Sequence, residues 1–288
     1  VNTQNQTSTL KGHNPKIFSI NDVVFSPDGK YLASSGCSSN FSCELFLWET
    51  QSGNRLYSLL NPENETVRVG SIVFSPDGKK LAAVTSDGIT VWDVAGGQRL
   101  QTIHLDAKGQ LLIFTPDGTG LASQDLKDFK GNMKIWDVQS GTSRVDLGTH
   151  DPYYQLAFTS DGKLLKALNF TGPENEKQIE MVVFDAQTGK VIEEMQPLQE
   201  PKGVSTSVFY LFDADHDLLV QSHYLNQNGS LRIYDLKQGE LALALFSYTG
   251  KKGSASGFSQ RHYLPITHWG RERYLLDIRW LYHLLPGD

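Results

Sequence analysis

One short motif recurs along the chain at a nearly regular spacing, and it constrains the fold more than any other feature. Phe-Ser-Pro-Asp-Gly begins at Phe25 and Phe74, Phe-Thr-Pro-Asp-Gly at Phe114, and Phe-Thr-Ser-Asp-Gly at Phe158, while a fifth copy at Phe212 keeps only the outline. Successive phenylalanines are separated by 49, 40, 44 and 54 residues. A repeat of this length predicts one supersecondary unit per copy, each too small to bury its apolar side alone.

Proline fixes φ and glycine accepts positive φ, so the Pro-Asp-Gly of the first motif predicts a tight turn between two antiparallel strands. Each copy of this motif is followed by a second anchor, which consists of an aromatic residue and an acid. The second anchor then ends a third strand, and a turn of fixed length leads to a fourth. The anchors are Trp48-Glu49, Trp92-Asp93, Trp136-Asp137, Phe184-Asp185 and Tyr234-Asp235, and their turns end at Gly53, Gly97, Gly141, Gly189 and Gly239.

Together these motifs resemble the WD-repeat β-propeller family, in degenerate form, with some similarity to Tol-system propeller repeats and a style typical of bacterial proteins. The resemblance implies an all-β fold, a six-bladed β-propeller of four-stranded antiparallel blades. It also implies a buried set in each blade: a His before strand a, Ser or Thr in strand b, Asp in the b–c turn, and the aromatic residue. No single blade holds all four. The structural repeat residues are His13, Trp48, Asp87, Trp92, Trp136, His150, Phe184 and Tyr234.

We interpret residues 1–288 as one propeller domain closed by its two ends. The blades cover approximately 14–60, 61–104, 105–148, 149–195, 196–246 and 247–288. In the last blade, 253–258, 262–268 and 274–280 align with strands a to c, and the N-terminal strand at 7–12 supplies the fourth strand and closes the blade.

Loop length predicts where a partner binds. The a–b and c–d turns keep nearly constant lengths, whereas insertions fall in the b–c and d–a loops at 36–43, 124–132, 169–180 and 196–205. Both variable classes are expected on the same face, so random drift in length explains the pattern poorly. Aromatic residues on such loops are common interface anchors. The predicted partner-binding residues are Phe41, Phe129, Tyr153, Tyr154, Phe170, Tyr224 and Trp269.

The favoured function is a non-catalytic scaffold that binds another protein or peptide. The alternative is a propeller that binds a small ligand, sugar or metal in its central channel, with hydrolase activity as one form. Eight histidines are scattered without metal-ligand spacing, and there is neither a Gly-x-Ser-x-Gly motif nor a phosphate-binding glycine loop. We therefore expect no catalytic residue, no metal and no cofactor.

Charge and composition narrow the class of partner. A net charge of −6 with no basic patch disfavours a nucleic-acid partner, and no apolar run reaches the ~20 residues of a membrane helix. A monomer is expected. Cys37 and Cys43 lie in one loop and form either a disulfide or two free thiols. A disulfide implies an oxidising compartment, so an extracytoplasmic location, periplasmic or secreted, is favoured over a cytoplasmic one.

Overall fold

The computed structural model describes residues 10–14, 17–38, 43–60, 69–105, 108–172, 178–195, 197–199, 208–225 and 228–247, where every regular element is a β-strand. The strands form five antiparallel sheets, each built on a four-strand meander that we label a to d in chain order, and the fourth sheet has one additional two-residue strand. The all-β prediction is confirmed. The strands are β1 (Ile17–Phe25), β2 (Tyr31–Ser38), β3 (Cys43–Glu49), β4 (Arg55–Ser58), β5 (Val69–Phe74), β6 (Lys80–Thr85), β7 (Gly88–Asp93), β8 (Arg99–Ile103), β9 (Lys108–Phe114), β10 (Gly120–Lys127), β11 (Lys130–Asp137), β12 (Ser143–His150), β13 (Gln155–Phe158), β14 (Leu164–Thr171), β15 (Gln178–Asp185), β16 (Val191–Glu194), β17 (Leu198–Gln199), β18 (Val208–Asp213), β19 (Leu218–Leu225), β20 (Asn228–Asp235) and β21 (Glu240–Ser247).

The chain divides into two compact units. The larger comprises Gln6–Asn169 and Met181–Glu194, and the smaller comprises Val1–Asn5, Phe170–Glu180 and Met195–Asp288. Sheets one to three and most of sheet four belong to the larger unit, and sheet five belongs to the smaller. In the part of the chain that the structure describes, no helix is long and apolar enough to cross a membrane.

The a–b turns, which are Pro-Asp-Gly in three sheets and Ser-Asp-Gly in the fourth, adopt the geometry that their residues predict. In the first four sheets the turn glycine lies at φ of 67° to 70°. The Ser or Thr hydroxyl before it donates to the aspartate two residues further on, over 2.7 Å from Ser26 to Asp28 and 2.8 Å from Thr159 to Asp161. Sheet five lacks the glycine, and Asp217 takes the left-handed conformation there at φ 56°.

In the larger unit, the core lies between successive sheets. Strand a of each sheet contacts strand a of the next, from β1 to β5, β9 and β13. Trp92 packs with Leu45 and Leu47 of sheet one, and Phe184 packs with Met133 and Ile135 of sheet three. Full burial of such a side chain contributes roughly 1.5–3 kcal/mol. Trp92, Trp136 and Phe184 therefore each join their own sheet to the preceding one, as expected from the sequence.

Glycines in the c–d turns allow close contact between successive sheets. A Cβ atom on Gly97 would lie 2.6 Å from the ring of Tyr57, and one on Gly189 would lie 2.4 Å from the carbonyl oxygen of Asp146. Both glycines also have positive φ. Conformation and space therefore both require glycine here.

Three predicted loops contain more strand than expected. In the predicted loop 124–132, pairing continues to Lys127 and Lys130, and in 169–180 it continues to Thr171 and from Gln178. In 196–205, β17 pairs with the first residues of β15. Ladder pairing satisfies backbone N–H and C=O groups that a loop would leave to water, which explains the longer strands.

The predicted closure of the propeller falls largely outside the described residues. Residues 1–9 and 248–288, which hold most of the proposed sixth blade, are not described, and residues 10–12 do not belong to a strand. Six blades therefore remains a prediction.

Candidate functional site

The first sheet and the segment before it form a partly buried hydrogen-bonded set of four side chains. Nε2 of His13 lies 2.8 Å from Oγ of Ser34, which also accepts a 2.8 Å hydrogen bond from the indole N–H of Trp48. Nδ1 of His13 lies 3.0 Å from Oε2 of Glu44. The acid of this set is not the Asp of a b–c turn that the family pattern implies but Glu44 in strand c. Residues 44, 46 and 48 alternate onto one strand face, which is the signal that sequence reasoning missed.

Other sheets keep only parts of this set. Trp136 donates to Ser123 over 2.8 Å, and the hydroxyl of Tyr234 donates to Gln221 over 3.0 Å. His150 ends β12, where its Nε2 lies 2.6 Å from the carbonyl oxygen of Leu147. Its ring packs 5.2 Å from that of Phe184. These histidine and aromatic residues are buried or half-buried and stabilise the fold.

Asp87 does not have the buried environment expected of its position. It is exposed in the two-residue turn between β6 and β7, and its carbonyl oxygen lies 3.1 Å from Nδ1 of His104. The hydroxyl of Thr85 instead donates to Gly88. Asp87 therefore lies at the surface, outside any buried set around Trp92.

The most exposed aromatic residue in the described part of the chain lies at the b–c turn of sheet three. Phe129 is 93% exposed, and with Asp128 it forms a two-residue turn in which both have left-handed φ, 51° and 63°. Lys130 forms an ion pair with Asp151 in the segment between β12 and β13. Tyr154, 59% exposed, lies in the same segment. One ion pair thus joins the two segments that carry Phe129 and Tyr154.

The buried side-chain amide of Gln124 holds the backbone of the segment between β12 and β13. Gln124 accepts a hydrogen bond from the backbone N–H of Tyr153 over 2.8 Å and donates to its carbonyl oxygen over 3.1 Å. The side chain of Tyr153 is 6% exposed and packs in the core with Phe184. Tyr153 was predicted to contact a partner, and this is corrected: its ring belongs to the core because Gln124 holds its backbone inwards.

The structure describes the other predicted contact residues only in part. Phe170 is half-buried in β14, and Tyr224 lies in β19, where the structure describes only its backbone. Phe41 and Trp269 lie outside the described residues. Phe129 and Tyr154 are therefore the predicted anchors that the structure presents to solvent.

Cys37 and Cys43 form a disulfide. They are directly opposite each other in the pairing of β2 and β3. Nδ2 of Asn21 also lies 3.0 Å from Sγ of Cys37. Of the two alternatives left open by the sequence, the structure has the bridge, which fastens the b–c end of sheet one.

The acidic residues with shifted pKa values serve turns and sheet contacts. The Ser26 hydroxyl and the Lys30 backbone N–H lower the pKa of Asp28 to about 2, and the Lys163 backbone N–H and Thr159 hydroxyl do the same for Asp161. Burial raises the pKa of Asp22, which accepts from the backbone N–H of Ile72. Among the described residues, no group of His, Cys, Asp or Glu could hold a metal ion.

Comparison with known proteins finds similarity to WD-repeat proteins over part of the chain. The WD domain, G-beta repeat, matches residues 4–48. The small ribosomal subunit protein RACK1 of Brassica napus is 30% identical over 135 residues, which are 47% of this chain and 37% of that protein. The chain thus aligns with little more than a third of this curated relative.

Solved structures share the fold at low identity. A chain of Kuenenia stuttgartiensis hydrazine synthase matches at a TM-score of 0.58 and 17% identity, over 82% of this chain and 68% of its own. A chain of the mitotic checkpoint complex matches at 0.53 and 16%, over 84% and 73%. TolB from Acinetobacter baumannii matches at 0.47 and 19%, over 77% and 53%, so the Tol-system resemblance stays a prediction from sequence.

Proposed function

We propose that this chain, which matches a WD-repeat model at residues 4–48 and has a propeller-like all-β fold, is a non-catalytic scaffold that binds another protein or a peptide. Proteins with such repeats are generally interaction scaffolds, whereas the fold alone does not identify a partner. The binding surface is the end of the blades that carries the b–c turns and d–a segments.

The exposed aromatic turn of blade three is the observation that carries this proposal. Its hairpin extends two residue pairs beyond the position at which blade two turns, counted from the aromatic anchor. An aromatic ring at the tip of a rigid hairpin offers a large apolar contact that loses little conformational entropy on binding. The ion pair between Lys130 and Asp151 holds a second aromatic residue, Tyr154, on the adjoining segment.

The backbone at Phe129 favours a functional role for this side chain. A non-glycine residue at left-handed φ costs roughly 1–2 kcal/mol, and the usual sequences for such a turn are Asn-Gly and Asp-Gly. This chain has Asp128 followed by Phe129 instead. Backbone strain of this kind concentrates at sites where a side chain is needed for binding.

Capture of a partner by variants of the full chain tests the proposal. Glycine adopts the left-handed backbone conformation of position 129 without strain. In Phe129→Gly, the relief of about 1–2 kcal/mol of strain therefore offsets the ~0.5–1 kcal/mol entropic cost of glycine, and the variant is expected to fold. We expect this variant and Tyr154→Ser to lose the protein that the unaltered chain captures from cells of its source. The recovered proteins are identified and quantified by mass spectrometry.

A matched control distinguishes binding at the proposed surface from non-specific binding by exposed apolar side chains. Ile192 is 55% exposed on the outer strand β16, and Ile192→Ser removes an apolar side chain there. This variant is expected to capture the partner as well as the unaltered chain does. Equal capture by all variants, or loss only with Ile192→Ser, would assign binding to another surface.

A further inference from the structure

Blade five contains a buried charged side chain that has no partner among the described residues. Arg232 in β20 is 8% exposed, and its Nη1 atom is fully buried without a hydrogen-bond partner. No acid in the described part of the chain forms an ion pair with its guanidinium. Arginine keeps its charge in proteins, so a positive charge is buried here without the anion that would offset its loss of water.

Two arginines elsewhere in the chain show the usual arrangement. Both are exposed, and both have partners. In blade three, Nε of Arg144 donates to Asp137 over 2.9 Å, and Nη1 donates to the hydroxyl of Thr119 over 2.9 Å. In blade one, the guanidinium of Arg55 lies 4.6 Å from the centre of the Phe46 ring. The arginine that most needs a partner, because water is excluded from it, is thus the one that lacks it.

The acids of blade five do not supply the missing charge. Oδ1 of Asp235 accepts a hydrogen bond from the backbone N–H of Gln238 over 2.9 Å, within the c–d turn. Arg232 lies three residues before Asp235, about 10 Å along the strand, and alternation directs the two side chains to opposite faces. The described acids of this blade all lie at the turn end of the sheet: Asp213, Asp215, Asp217, Asp235 and Glu240.

The polar neighbours of Arg232 in its own sheet bond to each other. Gln221 is directly opposite Arg232 in the pairing of β19 and β20, and Tyr234 follows on the same face of β20. The hydroxyl of Tyr234 donates to Oε1 of Gln221 over 3.0 Å, and both side chains are fully buried. The guanidinium therefore lies beside a fixed pair of side chains and keeps its own donors for an acceptor that this blade does not provide.

We propose that Arg232 binds a ligand that carries a carboxylate or a phosphate group. A guanidinium presents parallel N–H donors that match two oxygens of either group, and such charge-assisted hydrogen bonds are strong where water is excluded. Because part of the residue still reaches the surface, a small anion can approach it from solvent. The site is separate from the aromatic turn at Phe129 and does not rest on the partner-binding proposal.

Thermal unfolding of the full chain in chloride, acetate and phosphate at equal ionic strength tests the site. We expect acetate or phosphate to raise the melting temperature of the parent by several degrees above its value in chloride. Arg232→Gln should lose this increase, because an amide has neither the charge nor the paired donors. Arg99→Gln removes the same charge at an exposed position of β8 and should keep the increase.

The two variants also correct for the general stabilising effect of phosphate on folded proteins. An increase specific to phosphate assigns a phosphoryl ligand, one specific to acetate assigns a carboxylate ligand, and an increase with both supports the shared chemistry. No increase in the parent, or an equal increase in Arg232→Gln and Arg99→Gln, would overturn the proposal.

A third variant, Arg232→Met, tests whether the charge is unpaired in the absence of a ligand. Methionine is flexible enough to fill the space and carries no charge. In chloride after dialysis, we expect this variant to melt at or above the temperature of the parent, because an unpaired buried charge has been removed. A melting temperature well below that of the parent would show that a group of the chain already neutralises Arg232, and the proposed site would then be wrong.

Discussion

In most blades, the residue beside the buried aromatic side chain is polar where that side chain carries an N–H or O–H donor. An indole N–H is met by a serine in blades one and three, and the phenol of blade five is met by a glutamine. Phe184 has no donor, and Ala167 occupies the corresponding position five residues after its turn glycine. Blade two departs from this rule, with an alanine beside its tryptophan. The pairs are Trp48–Ser34, Trp136–Ser123 and Tyr234–Gln221, and the exception is Trp92 with Ala83.

Loss of one of these acceptors should destabilise the protein. Ser34→Ala leaves the buried N–H of Trp48 and Nε2 of His13 without their shared partner, at an expected cost of about 1–3 kcal/mol in the free energy of unfolding. Denaturant unfolding measures this change. Ser143→Ala, at an exposed position of β12, is the matched control and should stay within about 0.5 kcal/mol of the parent. An equally small effect of Ser34→Ala would show that the set contributes little.

The aspartates of the Pro-Asp-Gly turns predict acid sensitivity. The folded-state pKa of Asp28 and of Asp161 is lowered to about 2. The stability that these two carboxylates contribute is therefore fully present above the unfolded-state pKa of about 3.9. It is lost as the pH falls from there towards 2. Asp161→Asn keeps an acceptor oxygen but does not titrate, so its stability should depend less on pH in this range. Urea unfolding between pH 5 and about 2 checks this, and an unchanged slope would contradict it.

At the scale of the element, two turn glycines allow the cost of backbone strain to be measured separately from the cost of steric crowding between blades. A Cβ atom on Gly29 would have no heavy atom within 4 Å, whereas one on Gly189 would meet Asp146 O at 2.4 Å, and both residues have φ near 70°. Gly29→Ala should therefore cost about 1–2 kcal/mol from conformation alone. Gly189→Ala should cost about 1–3 kcal/mol more, because the outer strand of blade three must move. Thermal unfolding with calorimetry measures both, and equal losses would mean that this contact between blades is loose.

The sequence predicts the strands and turns better than it predicts the contacts that distant residues make with them. Turn chemistry and alternation act over a few residues, so the turns at Pro-Asp-Gly and the buried aromatics could be predicted. The hairpin tip at Phe129 could not, because it lacks the usual turn residues and is extended by pairing with the partner strand. The burial of Tyr153 depends on Gln124, which lies 29 residues away in the chain. Glu44 was missed because its role depends on which strand face meets His13.

At the scale of the whole molecule, the first residues stabilise the first blade. Leu10 and Gly12 lie against Phe46 and Trp48, which are both nearly fully buried. Deletion of residues 1–12 should expose the Trp48 ring and open the edge of the last predicted blade to association. We expect a red shift of tryptophan fluorescence, a lower melting temperature and aggregation. A truncated protein that is monodisperse and melts like the parent would mean that the N-terminal segment has no such role.

The proposed binding surface lies at one end of the blades and is therefore also a feature of the whole molecule. Hydrogen–deuterium exchange of the full chain, alone and in complex with a captured partner, compares the two ends directly. We expect slower exchange in the complex at residues 126–131 and 151–155, with unchanged exchange at the Pro-Asp-Gly turns. Protection confined to those turns, with unchanged exchange around Phe129 and Tyr154, would contradict this expectation.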